Sequence, residues 1–197
     1  MELTEYLREK GFKRFEGYSY ECMEQVEYIR RLCVEYKIGS VLEIGFNAGH
    51  SSYLFLGLGE DVNVLSFDIG IHDYTVEGKK FIDDKFLGRH ELIIGDSNVT
   101  VPVSFRGKKY DLIFIDGCHD YKVAKLDLEN CKKYAHENTL VIMDDTVYTR
   151  GMGKTHTGGP TNVWLDALKL GLVEEFGMVE FGVGRGMSWG RYLVFDV

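Results

Sequence analysis

Five short apolar runs recur at fairly even intervals along the chain, at residues 41–45, 62–68, 91–96, 111–116 and 140–144. Several are almost wholly apolar, as strands buried on both faces are. Segments with helical spacing lie between them. Over residues 121–135, Ala124, Leu128, Cys131 and Ala135 share one helical face. Strands alternating with helices predict an α/β fold, a parallel sheet covered on both sides. Ahead of the first strand, residues 2–36 read as helical, with Cys22, Val26, Ile29, Cys33 and Tyr36 in one stripe. Near the end, residues 161–172 predict a helix carrying Trp164, Leu168 and Leu172. Residues 179–197 predict two strands around Gly184-Arg185-Gly186, an antiparallel hairpin at one sheet edge.

The ends of the runs carry a second pattern. Four of the five close on an aspartate: Asp68, Asp96, Asp116 and Asp144. The first closes on Gly45, with Glu43 just before it. Ligands of open α/β sheets sit outside the carboxyl ends of the strands. An acid therefore stands at nearly every position where a ligand would lie. Aspartate also favours turns and helix caps, which accounts for any one of these positions well and for four together poorly. After Asp145 the pattern breaks. Residues 147–160 hold Arg150, Lys154, His156, Pro160 and four glycines, and read as a loop beside the strand ends, a candidate lid.

Composition narrows the classes. The 197 residues suit one domain with a real core, here a helical cap over 1–39 and a cofactor-binding core over 40–197. The net charge of −8 argues against a nucleic-acid surface. Lys79-Lys80, Lys108-Lys109 and Lys132-Lys133 are isolated pairs that read as solvated faces. Cys22, Cys33, Cys118 and Cys131 show no C-x-x-C spacing, so zinc is not expected. No run approaches membrane-spanning length and no signal-type apolar segment opens the chain, so a cytoplasmic protein with free thiols is the expectation.

The first strand ends in Glu43-x-Gly45-x-x-x-Gly49. This lacks the middle glycine of the dinucleotide fingerprint, and no Gly-Lys-Ser/Thr follows it, so both phosphate-cradling readings lose ground. In its full form, Leu42-Glu43-Ile44-Gly45-Phe46-Asn47-Ala48-Gly49 resembles the first motif of class I S-adenosylmethionine-dependent methyltransferases. Phe67-Asp68 resembles that family's acidic ribose position. Gly95-Asp96-Ser97 resembles the segment bordering the adenine, and the run Asp111-Leu112-Ile113-Phe114-Ile115-Asp116-Gly117 resembles the fourth motif. The resemblance runs from about residue 20 to the end. It implies a Rossmann-like doubly wound sheet of seven strands, mostly parallel, in order 3-2-1-4-5-7-6 with the C-terminal hairpin antiparallel. It also implies that Glu43, Gly45, Asn47, Ala48, Gly49, Asp68, Gly95, Asp96, Ser97 and Asp116 line the S-adenosyl-L-methionine site. The chemistry agrees: a carboxylate such as Asp68 accepts from both ribose hydroxyls, and an acid-lined cleft attracts a sulfonium.

Within that family the chain is similar to the metal-dependent O-methyltransferases of the catechol and macrocin or sugar types, and Asp116-Gly117-Cys118-His119 matches the D-G-x-H pattern of the latter. The catechol type carries Asp-Asn where this chain has Asp144-Asp145. The resemblance implies a divalent cation, magnesium first, on Asp116, Asp144 and Asp145. Asp116 and His119 are then the catalytic candidates, His119 lying where the catechol type has its lysine base. A neutral imidazole can take a hydroxyl proton, and a metal lowers that hydroxyl's pKa and orients it. Two other arrangements stay open: a metal-independent N- or protein methyltransferase, and a non-catalytic adenosylmethionine binder. A nicotinamide-dependent reductase is more distant. Cys118 reads as a packed thiol, and His50 as packing or capping at a helix start. Tyr18, Tyr20, Tyr148 and Trp164 form either an aromatic wall or core. The expected partner is a small-molecule acceptor, with no nucleic acid and no membrane. The oligomeric state is open, a homodimer included.

Overall fold

The computed structural model describes residues 1–16, 19–148 and 156–193, with the side chains of Ser19 and Val183 left out of account. Two helices precede the sheet, α1 (Leu3–Glu9) and α2 (Met23–Glu35). The alternating part runs β1 (Ser40–Ile44), α3 (His50–Leu56), β2 (Asn63–Asp68), α4 (Asp73–Lys85), β3 (His90–Ile94), α5 (Ser97–Ser104), β4 (Tyr110–Ile115), α6 (Tyr121–Cys131) and β5 (Ala135–Asp144). It finishes with α7 (Gly158–Lys169), β6 (Val173–Phe181) and β7 (Arg185–Tyr192). The seven strands form one sheet in the order β3-β2-β1-β4-β5-β7-β6. The first five run parallel, and β7 pairs antiparallel with both β5 and β6. This is the order and hairpin expected.

Period-two alternation explains the two layers. Val41, Val64, Leu112, Phe114, Leu140 and Ile142 face one way, onto Val26 and Ile29 of α2 and Leu54 and Phe55 of α3. Leu42, Leu65, Ile113, Ile115, Val141 and Met143 face the other way, onto α5, α6 and α7 through Val101, Leu128 and Trp164. Within the stripe expected on α2, Val26, Ile29 and Cys33 are fully buried, while Cys22 and Tyr36 are partly so.

Some expected boundaries move. Residues 2–36 are not one helical stretch: α1 and α2 are separate helices, and a short 3₁₀ turn, Ser19–Glu21, precedes α2. The helix expected over 121–135 ends at Cys131, because a 3₁₀ turn, Lys132–Tyr134, leads straight into β5. The next helix begins at Gly158, inside the expected loop. The hairpin's first strand begins at Val173 rather than 179: Val173–Met178 is a partly exposed edge whose polar residues mask its alternation. The central part of the candidate lid, with Arg150 and Lys154, lies outside the described residues, as does Tyr18.

Register fixes where the acids stand. Ile44 pairs with Phe67 on one side and Ile115 on the other, and Ile115 pairs with Met143. The residues that follow, Gly45, Asp68, Asp116 and Asp144, therefore share one edge of the sheet.

Candidate active site

The turn between β1 and α3 is built from residues that tolerate positive φ. Gly45 stands at +97°, Asn47 at +53° and Gly49 at +89°. At Gly45 a side chain has no room: a Cβ would stand 1.9 Å from the carbonyl oxygen of Asp116. The strand-one turn therefore lies directly against the end of strand four. The backbone N–H of Asn47 donates to Asp68 Oδ2 at 2.7 Å, and the N–H of Gly70 donates to Oδ1 at 2.7 Å. These bonds fix the Asp68 carboxylate while leaving lone pairs on both oxygens for a diol. Asn47 Oδ1 is buried and unpartnered, and Ala48 is fully buried.

Glu43 does not face the cleft. It is fully buried, and its carboxylate accepts from Ser51, from Ser52 at 2.5 Å and from Ser66 at 2.5 Å. Burial raises its pKa against the pull of those three hydroxyls. The residue holds the first turn of α3 onto β1 and β2 from beneath, rather than offering an oxygen to a cofactor. His50 is also structural: it packs on Phe15 and Tyr20 and lies 3.0 Å from Thr4 Oγ1, and burial lowers its pKa to about 4.

At the end of β3, Gly95 has φ +144°, and Asp96 caps α5 by accepting the Asn98 N–H at 2.9 Å. Ser97 opens that helix. Ile69 and Ile94, at the ends of β2 and β3, are 55% and 54% exposed, an apolar margin to this end of the cleft.

The acids meet at the ends of β4 and β5. Asp116, His119 and Asp145 each offer a ligand atom, and these atoms all lie within 4.8 Å of one another. His119 Nε2 stands 2.9 Å from Asp145 Oδ2. Asp145 has φ +56°, a left-handed conformation that costs a non-glycine residue on the order of 1 kcal/mol or more. That turn carries its side chain out of the strand alternation, so neighbouring Asp144 and Asp145 take different partners. Asp144 points to α2, where Gln25 Nε2 donates to its Oδ1 at 2.6 Å. Of the expected Asp116, Asp144 and Asp145, the first and last cluster with His119, and Asp144 stands beside them, bonded by Gln25 of α2.

Electrostatics mark the cluster as short of positive charge. Burial and the charges of Asp144 and Asp145 push Asp116 well above the usual carboxylate range. Burial, then the Asp145 charge, pushes Asp144 up to about 8. The hydrogen bond that His119 donates to the Asp145 carboxylate raises the imidazole's pKa. Two carboxylates and an imidazole suit a divalent cation, which would relieve this repulsion. The donor set therefore fits a metal, with Asp116 and Asp145 as holders and His119 beside them.

Among the other candidates, the ring of His156 lies 6.2 Å from that of His119. Cys118 is exposed. Trp164 is fully buried and donates to Glu175, as does the Tyr148 hydroxyl, while Tyr20 packs on the core, so these three are packing residues. One site residue escapes the sequence pattern, Gln25, which is 1% exposed and holds Asp144. It is a polar position interrupting an apolar helical stripe beside Val26 and Ile29, and that interruption is the signal that could have found it.

A family profile described as a methyltransferase domain matches residues 42–146. Searching curated proteins finds none that matches. Solved structures agree in fold. A Staphylococcus aureus protein provisionally assigned as a caffeoyl-CoA O-methyltransferase superposes with a TM-score of 0.71 at 18% identity, covering 96% of this chain and 90% of that one. An O-methyltransferase from Bacillus cereus in complex with SAH gives 0.70 at 17%, covering 95% and 89%. The SAH-bound methyltransferase PaMTH1 of Podospora anserina gives 0.64 at 15%, covering 86% and 78%.

Proposed function

The chain belongs to the methyltransferase-domain family, and on that premise we propose that it moves the methyl group of S-adenosylmethionine to a hydroxyl of a small hydroxylated molecule, assisted by a divalent cation such as magnesium. The observation that carries this reading is the convergence of Asp116, His119 and Asp145 within 4.8 Å, next to the turn of Gly45. The relatives in complex with SAH and those described as O-methyltransferases support the cofactor and the oxygen acceptor.

When bound, the cofactor supplies a methyl on a positive sulfur, and the cation supplies Lewis acidity toward the acceptor hydroxyl. The chain's residues do the rest. Asp68, held by the N–H groups of Asn47 and Gly70, accepts the ribose hydroxyls and sets the nucleoside's position. Gly45 lets the β1–α3 turn, whose N–H groups suit the cofactor's carboxylate, close directly against the end of β4. Asp116 and Asp145 would hold the cation. His119 receives the acceptor's proton at Nδ1 while Asp145 orients the ring through Nε2. Positioning of oxygen, carbon and sulfur in line provides much of the acceleration.

One observation favours a second reading. The His119–Asp145 pair is already a complete base-and-orienter unit, so hydroxyl deprotonation without a metal is the competing mechanism. Calorimetry with adenosylmethionine and magnesium, followed by transfer assays on catechol and vicinal-diol panels with and without chelator, separates the two.

A further inference from the structure

Gln25 is a costly residue where it stands. It lies in α2 beside Val26 in the buried stripe, and is itself 1% exposed. Its amide carbonyl oxygen, Oε1, is buried without a hydrogen-bond partner. A buried carbonyl left unpaired works against folding, so packing alone does not account for an amide here. The other end of the amide does: Nε2 donates to Asp144 Oδ1 at 2.6 Å. The helix is held firmly at that place. Tyr28, about one turn on, packs its ring on Phe181 and Trp189 of the C-terminal hairpin, at centroid distances of 6.0 and 5.3 Å. Glu21, just ahead of the helix, pairs with Arg185 at the start of β7, 2.8 Å apart. Gln25 therefore reaches Asp144 from a fixed element.

This bond bears on which acids meet a cation. Strand register alone puts Asp144 beside Asp116: Ile115 pairs with Met143, and each acid is the next residue. Yet the ligand atoms that lie within 4.8 Å of one another come from Asp116, His119 and Asp145, and Asp144 is not of that group. A carboxylate so near would be drawn to a divalent cation unless something else held it. Two carboxylates balance the cation's charge. A third would exceed it and weaken the pull on an acceptor hydroxyl. We propose that Gln25 is a positioning residue that holds Asp144 out of the cation's ligand group, so that Asp116 and Asp145 alone supply carboxylates and the remaining positions stay open to the acceptor and water. The inference rests on the metal-assisted reading and deepens it.

Calorimetric titration of the metal-free protein with magnesium tests this without any methyl transfer. Asp144→Asn still accepts from Gln25. It is expected to weaken magnesium binding by less than about tenfold, the effect of a nearby charge that does not touch the ion. Gln25→Met keeps an unbranched side chain of similar length and removes the donor. It is expected to tighten magnesium binding by about fivefold, because Asp144 is released to the cation. The gain is expected to vanish when Gln25→Met is combined with Asp144→Asn. A merely structural Gln25 does not produce this pattern, since a loosened site binds metal more weakly. A folded Gln25→Met that binds magnesium no more tightly than wild type overturns the proposal, as does a gain that persists without the Asp144 carboxylate. A loss beyond about tenfold in Asp144→Asn makes Asp144 a ligand and overturns it too, with Gln25 left intact. Wild type that binds no magnesium overturns the metal-assisted reading itself, and this inference with it.

Discussion

His119 Nε2 lies 2.9 Å from Asp145 Oδ2, so the end of strand five holds an imidazole over the end of strand four. The carboxylate favours the protonated ring and lifts its pKa above 6.5. Removing it must act in the opposite direction. In the metal-free protein, NMR titration is expected to show His119 above 6.5 and to show it falling in Asp145→Asn. If His119 is the base, His119→Ala lowers kcat by about 10²-fold or more, with a smaller change in cofactor affinity.

Asp116 and Asp144 bind protons more tightly in the folded chain than when unfolded. The native state therefore holds more protons, and stability falls as pH rises. For Asp144 the window runs from its ordinary value of 3.8 to about 8. The raised His119 contributes in the same direction, its stabilisation being lost as pH rises through its folded pKa. Thermal unfolding of the metal-free protein should show a lower Tm at pH 8.5 than at pH 5.5. Asp144→Asn should flatten that slope, and magnesium should restore Tm at pH 8.5. A Tm that rises over this range contradicts the assignment.

Gly45→Ala combines a positive φ with a Cβ placed 1.9 Å from the Asp116 carbonyl oxygen. Denaturant unfolding should show a loss of about 3 kcal/mol or more, the size expected of strain plus a steric clash. Gly88→Ala, also at positive φ but with nothing within 4 Å of the added carbon, should cost clearly less.

Asp68→Ala removes both ribose acceptors and frees the N–H groups of Asn47 and Gly70. S-adenosylhomocysteine affinity should fall by about 10- to 100-fold. Magnesium binding, which depends on Asp116 and Asp145, should change little. Parallel loss of both would show that the two sites are not separable.

The five parallel strands were legible because both-face burial writes continuous apolar runs, and their order came only with the resemblance to the methyltransferases. The edge strand β6 was harder: Glu174 is exposed, Glu175 turns inward to accept from Trp164 and Tyr148, and together they break the apolar pattern. The Gln25–Asp144 bond joins residues 119 apart, from a helix before the sheet to the end of β5, and no local pattern encodes it. Glu43 was placed in the correct motif, yet its direction depends on Ser66 in the neighbouring strand. The different directions of Asp144 and Asp145 come from the left-handed turn at Asp145, which a pair of identical letters does not announce.

Metal-assisted methyl transfer is tested most directly by following a labelled methyl group from S-adenosylmethionine to catechol and vicinal-diol acceptors, with magnesium and then with excess chelator. The cluster of Asp116, His119 and Asp145 predicts transfer with magnesium, its loss in chelator, its return on adding the cation back, and no recovery in Asp116→Ala. Transfer at the full rate in chelator, with Asp116→Ala equally active, would contradict it.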